Sequence, residues 1–299
     1  MEIITPETRD DHDNRDIVAA SPEMFKAFWP EVRGSYFFRS RRLFLDFMRA
    51  YGGRIYFPRD VTGSRRPFIL VGNWRSRSDI TAMWHIKGEG PIKRRLVTTA
   101  AARSFGSGSD AFVTKPLAEY EAEEYGKWGF EPAYGIVLFE MQLRRDPVKT
   151  EARDGVEITR YKKKYLGDVL RVDTTAFDDF WQLDARTLEA IATTCYHNVF
   201  LLAQRGGEIL GYAVGGTNGR FGYLQRLGVD SSHHGEGLGG ALVRQMVSTL
   251  QNMGATSVMV NTQEENVSAI GLYLKIGFEI LPDRRQIMRC IPRDLEPAR

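Results

Sequence analysis

Cysteine is scarce in this chain: Cys195 and Cys290 are the two in 299 residues. No Cys-x-x-Cys pair and no Cys/His cluster accompanies them, which argues against a disulfide scaffold or a structural zinc site and fits a reducing compartment. Long apolar runs are missing too. None approaches the roughly 18 residues that a membrane-crossing helix needs. The stretch Glu7 to Asp16 is acidic and polar, without the apolar segment of a secretory signal. Nor does one sign of charge dominate. Lys plus Arg number 41 against 38 for Asp plus Glu, a formal net charge of +3, too even to argue for nucleic acid or an anionic membrane surface. No Gly-Lys-Ser/Thr occurs, so a P-loop nucleotide site is excluded. With 42% apolar and 26% charged residues, the composition is that of a cytoplasmic globular protein with enough chain for two cores.

Organisation follows from local composition. Residues 1–20 are charged and poor in apolar groups, and read as a loosely attached tail. A second polar stretch, Arg144 to Gly155, carries Pro147 and many charges and little to bury, so 146–155 is expected to be a linker between domains at 21–145 and 156–299. In the second half, Val156–Arg160 reads as a strand. Tyr165–Phe177 and Phe180–Cys195 read as helices. Val199–Gln204 and Ile209–Gly215 form a hairpin around Gly206-Gly207. Phe221–Val229 is a strand. Leu238, Leu242, Met246, Leu250 and Met253 recur at helical spacing up to Gly254. Ser257–Val260 is a strand, Val267–Lys275 a helix ended by Gly277, and Phe278–Leu281 and Gln286–Ile291 two last strands. This order predicts a mixed α/β sheet.

The halves also resemble each other. Tyr273-x-Lys275-x-Gly277-Phe278-Glu279 repeats Tyr125-x-Lys127-x-Gly129-Phe130-Glu131, an offset of 148 (273 against 125). Gly235-Glu236-Gly237 repeats Gly88-Glu89-Gly90, an offset of 147 (235 against 88). One gap reconciles the two, which points to a duplicated domain.

Chemistry concentrates between Leu227 and Gly240. A strand ends at Val229, a loop follows, and a helix starts among Gly235, Gly237, Gly239 and Gly240. First-turn amides of a helix are unpaired and lie at the positive end of its dipole. Glycines let a bulky anion approach that backbone, so a phosphate or pyrophosphate is the expected ligand. Gly235, Gly237 and Gly240 satisfy the dinucleotide fingerprint G-x-G-x-x-G, but residues 230–234 intervene where that turn would follow its strand directly.

His234-x-x-Gly237-x-Gly239 resembles the pyrophosphate loop of the GCN5-related N-acetyltransferases, with His where Gln or Arg is usual. Asn266-x-x-Ala269-x-x-x-Tyr273-x-Lys275-x-Gly277-Phe278 resembles their second motif, at a fitting distance. The resemblance covers residues 156–291, and the first half more loosely. It implies two tandem acyl-CoA N-acyltransferase domains, each a mixed sheet whose fourth and fifth strands splay. It implies acetyl-CoA as cosubstrate and transfer to a primary amine of a small molecule or peptide by direct attack, through a tetrahedral intermediate. On that pattern the backbone of Leu227 and Val229 pairs with the pantetheine arm, and the Val229 N–H holds the developing oxyanion. His234, Gly235, Glu236, Gly237, Leu238, Gly239 and Gly240 cradle the pyrophosphate, Asn266 bonds the cofactor, and Tyr273 protonates the departing thiolate.

Phe221–Val229 contains no carboxylate, so the general base is open; Asp178, Asp179, Asp184 and Glu264 are candidates by charge alone. Phe180, Trp181 and Tyr196 fall where relatives wall the acceptor site. No third ligand completes a metal site with His233 and His234. In the first half Ile92 replaces the last loop glycine and Ala118 replaces Asn266, which marks a degenerate copy. The layout is similar to that of mycothiol synthases, tandem members with an inactive first half. A non-catalytic acyl-CoA-binding module is the alternative, and acceptor and oligomeric state stay open.

Overall fold

The computed structural model describes residues 16–33, 38, 40–61, 66–144, 148–150 and 154–295. By contact the chain divides into two units, Met1–Ala133 with Ile287–Arg299, and Tyr134–Gln286.

The second unit begins with β7 (Glu131–Gln142) from Tyr134 onward, followed by β8 (Glu157–Arg160), α5 (Leu166–Ala176), α6 (Ala185–Ile191), β9 (His197–Arg205), β10 (Glu208–Asn218) and β11 (Phe221–Val229). Then come α7 (Leu238–Asn252), β12 (Ser257–Gln263), α8 (Val267–Ile276) and the first part of β13 (Glu279–Cys290). Strands β8, β9, β10 and β11 pair antiparallel in that order. β11 then pairs parallel with β12, and β12 antiparallel with β7. Apolar residues at helical spacing put Leu242, Val243, Met246, Val247 and Leu250 of α7 out of solvent against one sheet face, each contributing about 1.5–3 kcal/mol. Val169, Val172 and Leu188 of α5 and α6 cover the other face with Tyr212 and Val214.

The first unit contains β1 (Ile17–Ala19), α1 (Phe25–Val32), α2 (Arg41–Ala50), β2 (Arg54–Pro58), β3 (Phe68–Trp74) and β4 (Arg77–Lys87), then α3 (Gly90–Phe105), β5 (Ala111–Val113), β6 (Leu117–Ala118) and α4 (Glu119–Gly126). β1 to β4 pair antiparallel in order, β4 parallel with β5, and β5 antiparallel with the end of β13. The series of three antiparallel pairs, one parallel pair and one antiparallel pair is the same in both units, with Gly88 and Gly235 each lying in the loop before the equivalent helix. The duplication read from the two motifs is therefore also a duplication of topology.

In each unit the closing strand is the one that follows the other copy's last helix. β7 follows α4, yet Ile136–Gln142 pairs with Gln263–Ser257. β13 follows α8, yet Arg289 and Cys290 pair with Val113 and Phe112. The linear division at 146–155 is thus not where contacts divide the chain: residues 134–145 join the second unit and 287–299 the first. Val137 and Phe139 lie inside the second core, and Met288 and Cys290 inside the first. Of the expected linker, 145–147 and 151–153 lie outside the described residues, while the Val148 amide donates to Gln251 on α7 at 3.1 Å. Of the expected tail, residues 1–15 lie outside the described residues. Ile17–Ala19 is a strand, because the apolar run Ile-Val-Ala pairs with β2 and buries Ile17 completely.

Two other expectations change. The helix expected over Phe180–Cys195 is confined to α6, since Asp184 accepts from the Thr187 amide at 2.7 Å and caps it there. The two last strands are one, β13. No helix among the described residues is long and apolar enough to cross a membrane.

Candidate functional site

The site is built at the end of β11. Leu227 and Val229 pack toward α7 while Gly228 between them faces the Tyr212 ring, and Leu224 joins the α7 side across the bulge at Gln225. The register with β10 slips between Val214 and Gly215, leaving Gln225 bulged between Leu224 and Arg226. Parallel pairing with β12 runs from Phe221↔Ser257 to Leu224↔Val260. Beyond that point Asn261–Gln263 keep their partners on β7. Among the described residues no strand covers the outer edge of 225–229.

Register decides which peptide groups face that open edge. The Asp230 amide donates to the Leu210 carbonyl at 2.8 Å. Donor groups alternate along an antiparallel ladder, so Gly228 and Arg226 also bond toward β10, whereas Leu227 and Val229 present their N–H and C=O groups outward. This edge can accept an extended chain carrying amides. The Val229 carbonyl already has a partner: His234 Nε2 lies 3.1 Å away.

The loop after Val229 is held from within. The Asp230 carboxylate accepts from the Ser232 hydroxyl at 2.7 Å and its amide at 3.1 Å, and pairs with Arg171 on α5. These bonds, the Ser232 hydroxyl first, hold its carboxyl below the usual range. His233 Nδ1 lies 2.8 Å from Glu236, which also pairs with Arg205 at 2.7 Å; the Glu236 side chain is thereby engaged within the loop, and its carboxyl is lowered by these same bonds. The His234 amide donates to Ser231 O at 3.3 Å, so that amide is already used inside the turn.

Gly235 and Gly237 take φ of +85° and +79°, a backbone region that disfavours side chains, and Gly237 caps α7. The carbonyl of Gly237 accepts from Ala241, which leaves the amides of Leu238, Gly239 and Gly240 as the donors of the first turn. Gly239 has a packing duty as well, while Gly240 would take a Cβ at ordinary contact distance. A Cβ at Gly239 would stand 3.3 Å from Leu272 of α8, and one at Gly240 3.6 Å.

On α8, Asn266 is the N-cap, its Oδ1 accepting from Ala269 at 3.0 Å, and Gly277 ends the helix at φ +108°. Tyr273 is 4% exposed, between Phe139 at 5.5 Å and Phe278 at 5.7 Å. Among the described residues its hydroxyl has no hydrogen-bond partner. Burial pushes its pKa well up, while the charge of Arg226 draws it in the opposite direction. The hydroxyl is protonated at neutral pH and can donate.

The other face of β11 holds a network that composition did not reveal. Asp173 of α5, 1% exposed, accepts from the Leu183 amide at 2.7 Å on Oδ1. On Oδ2 it accepts from the Tyr212 hydroxyl, and from Arg226 Nε at 3.0 Å and Nη2 at 2.6 Å. Its position four residues after Val169, on the buried stripe of α5, was the available signal. Beside it Phe180 stacks on Tyr134 at 4.2 Å, with Trp181 edge-on at 5.3 Å. Tyr134 was placed by sequence in the first copy, and the strand exchange carries it here.

The remaining candidates scatter. Tyr196 is 81% exposed. Asp184 caps α6, and Asp178 accepts from the Trp181 amide at 3.3 Å. The Glu264 carboxylate rests over Gly135, where a Cβ would come within 2.3 Å of its Oε2. Among the described residues no His, Cys, Asp or Glu group is arranged to hold a metal ion.

The equivalent tyrosine in the first unit is tied up. Tyr125 is fully buried, and its hydroxyl donates to the Met83 sulfur at 3.5 Å. Burial, then Glu121 and Glu124, push its pKa well up. Lys93 lies over its ring at 5.2 Å and pairs with Glu124 at 2.7 Å. Pro91, in the first turn of α3, removes one of the amides that Leu238 supplies in α7.

Two mixed sheets of this kind, each with a strand whose outer edge is uncovered among the described residues before the helix that follows, repeat one fold in duplicate. Residues 167–278 match the sequence model of the acetyltransferase (GNAT) family. An acetyltransferase of Pectobacterium atrosepticum is 33% identical over 82 residues, 27% of this chain; the chain spans 58% of that relative's length. A tandem GNAT protein from the clavulanic acid biosynthesis pathway superposes with a TM-score of 0.67 at 13% identity, covering 95% of this chain and 99% of its own. A GCN5-related N-acetyltransferase from Sphaerobacter thermophilus does so at 0.59 and 15% identity, covering 95% and 98%. At such identities the two structures speak for the fold.

Proposed function

We propose that the second unit transfers an acetyl group from acetyl-CoA to a primary amine of a small molecule or peptide. The observation that carries this is the outward-facing peptide edge at Leu227 and Val229, leading within eight residues to a glycine-capped helix start. An extended amide-bearing arm ending in a pyrophosphate fits that sequence of donors: strand-like pairing first, free helix amides next. Gly235, with nothing within 4 Å of a hypothetical Cβ, leaves room for the anion.

In this reading Leu227 and Val229 pair with the pantetheine arm. The amides of Gly237 to Gly240 hold the pyrophosphate. The Val229 N–H donates to the thioester oxygen as negative charge develops on it during attack by the neutral amine. The amine nitrogen bonds the carbonyl carbon and sheds its extra proton to solvent water; as the tetrahedral intermediate collapses the C–S bond breaks, and Tyr273 gives its proton to the leaving thiolate and regains one from solvent. Asn266 orients the start of α8 beside the arm. His234 must release the Val229 carbonyl before that group can pair. The first unit, with Tyr125 sealed on Met83, serves as scaffold.

Incubating the protein with acetyl-CoA and a panel of amines and amino-terminal peptides, and following free thiol, tests this. Amine-dependent thiol release is expected. Binding of acetyl-CoA without release on any member would favour the alternative, a non-catalytic acyl-CoA-binding module.

A further inference from the structure

The Asp173–Arg226 pair does more than fill the core. We propose that it is a positioning device that locks the turn between α5 and α6, residues 177–183, onto β11, so that the aromatic residues beside the acylation edge stand in one place. The inference rests on the acyltransferase reading for its catalytic consequence.

Three observations carry it. The pair reaches this turn at both ends: Asp173 Oδ1 holds the Leu183 amide at 2.7 Å, and Arg226 Nη2 donates to the Trp181 carbonyl at 2.8 Å. The guanidinium lies 3.4 Å over the Phe177 ring, where the turn begins. Arg226 is also the neighbour of Leu227 on the strand whose outer edge takes the acyl donor, so one short stretch of β11 sets both cofactor edge and acceptor-side turn. Tyr212 supports the carboxylate from β10 through its hydroxyl. The turn itself carries Phe180 and Trp181, stacked with Tyr134.

A buried ion pair is a poor way to gain stability, since apolar residues of equal volume do as well or better. Its advantage is geometry. Arg226 holds Asp173 Oδ2 from Nε and Nη2 together and Trp181 O from Nη2, a rigid two-nitrogen arrangement that a lysine's single ammonium lacks.

The test compares wild type with Arg226→Lys, which keeps the charge, and Tyr212→Phe, which removes one hydroxyl and keeps the ring. Amide exchange at Leu183 is measured with acetyl-CoA affinity and with acceptor kcat and KM. For Arg226→Lys, Leu183 exchange is expected to quicken about 10-fold and acceptor KM to rise about 10-fold, with acetyl-CoA Kd changed less than about twofold. Tyr212→Phe moves the same quantities by less. Unchanged Leu183 exchange in both variants overturns the proposal, and so does an equal loss of acetyl-CoA and acceptor affinity. If wild type binds acetyl-CoA and turns over no amine, the transferase reading fails, and Leu183 exchange still decides whether the pair positions the turn.

Discussion

Cutting the chain to residues 156–299 keeps every motif of the second copy and removes β7. That strand gives β12 its antiparallel partner over seven residue pairs, from Ile136↔Gln263 to Gln142↔Ser257. It also places Ile136, Val137 and Phe139 in contact with the second unit at 8%, 3% and 0% exposure. Burying each contributes about 1.5–3 kcal/mol, roughly 5–9 kcal/mol together. A domain's whole stability is about 5–15 kcal/mol, so the fragment should lack a cooperative thermal transition and bind acetyl-CoA weakly or not at all. The fragment 134–286, which restores β7, should melt cooperatively and bind acetyl-CoA. Circular dichroism melts and calorimetric titration on the two fragments measure this. A cooperative melt with undiminished binding in 156–299 would refute the reasoning about strand exchange.

Other expectations follow from the same geometry. Tyr273→Phe should lower kcat about 10²–10⁴-fold, as loss of a general acid does, with acetyl-CoA affinity nearly unchanged, whereas Tyr125→Phe should leave kcat alone; steady-state thiol release reads both. Gly237→Ala forces a side chain into φ +79°; the strain of about 1–2 kcal/mol should lower the melting temperature and weaken acetyl-CoA binding, and Gly90→Ala at φ +54° should weaken folding without touching binding. The Asp230 carboxyl is held below its unfolded value, so its contribution to loop order is complete above pH about 4 and is lost as pH falls through the lowered value. Asp230→Asn should flatten that acid limb in a titration of acetyl-CoA affinity against pH.

Short-range features of the site were legible before any coordinates. β11 has the bounds Phe221–Val229 that its alternation predicts, and α7 begins at Leu238 among the glycines. Both depend on local periodicity and on backbone freedom at single positions. The strand exchange was not legible, because β7 and β13 have the same local pattern whichever copy they complete, and only pairing at long sequence distance separates the cases. The helix over Phe180–Cys195 failed for a related reason. Apolar spacing there also suits a turn, and Asp173, eleven residues before its cap Asp184, holds that turn through the Leu183 amide. Gly239 reads as a ligand-facing residue in sequence and seats Leu272 as well. Tyr134 and Asp173 carry little signal in sequence, since chain order puts the first in the other copy and the second is like any acidic residue on a helix.

Amide hydrogen exchange with and without acetyl-CoA tests the central claim most directly. The account predicts new protection at Leu227, Val229 and Gly237 to Gly240, and none across Lys87 to Ile92 in the first unit. Protection confined to the first unit, or none at the end of β11, would contradict it.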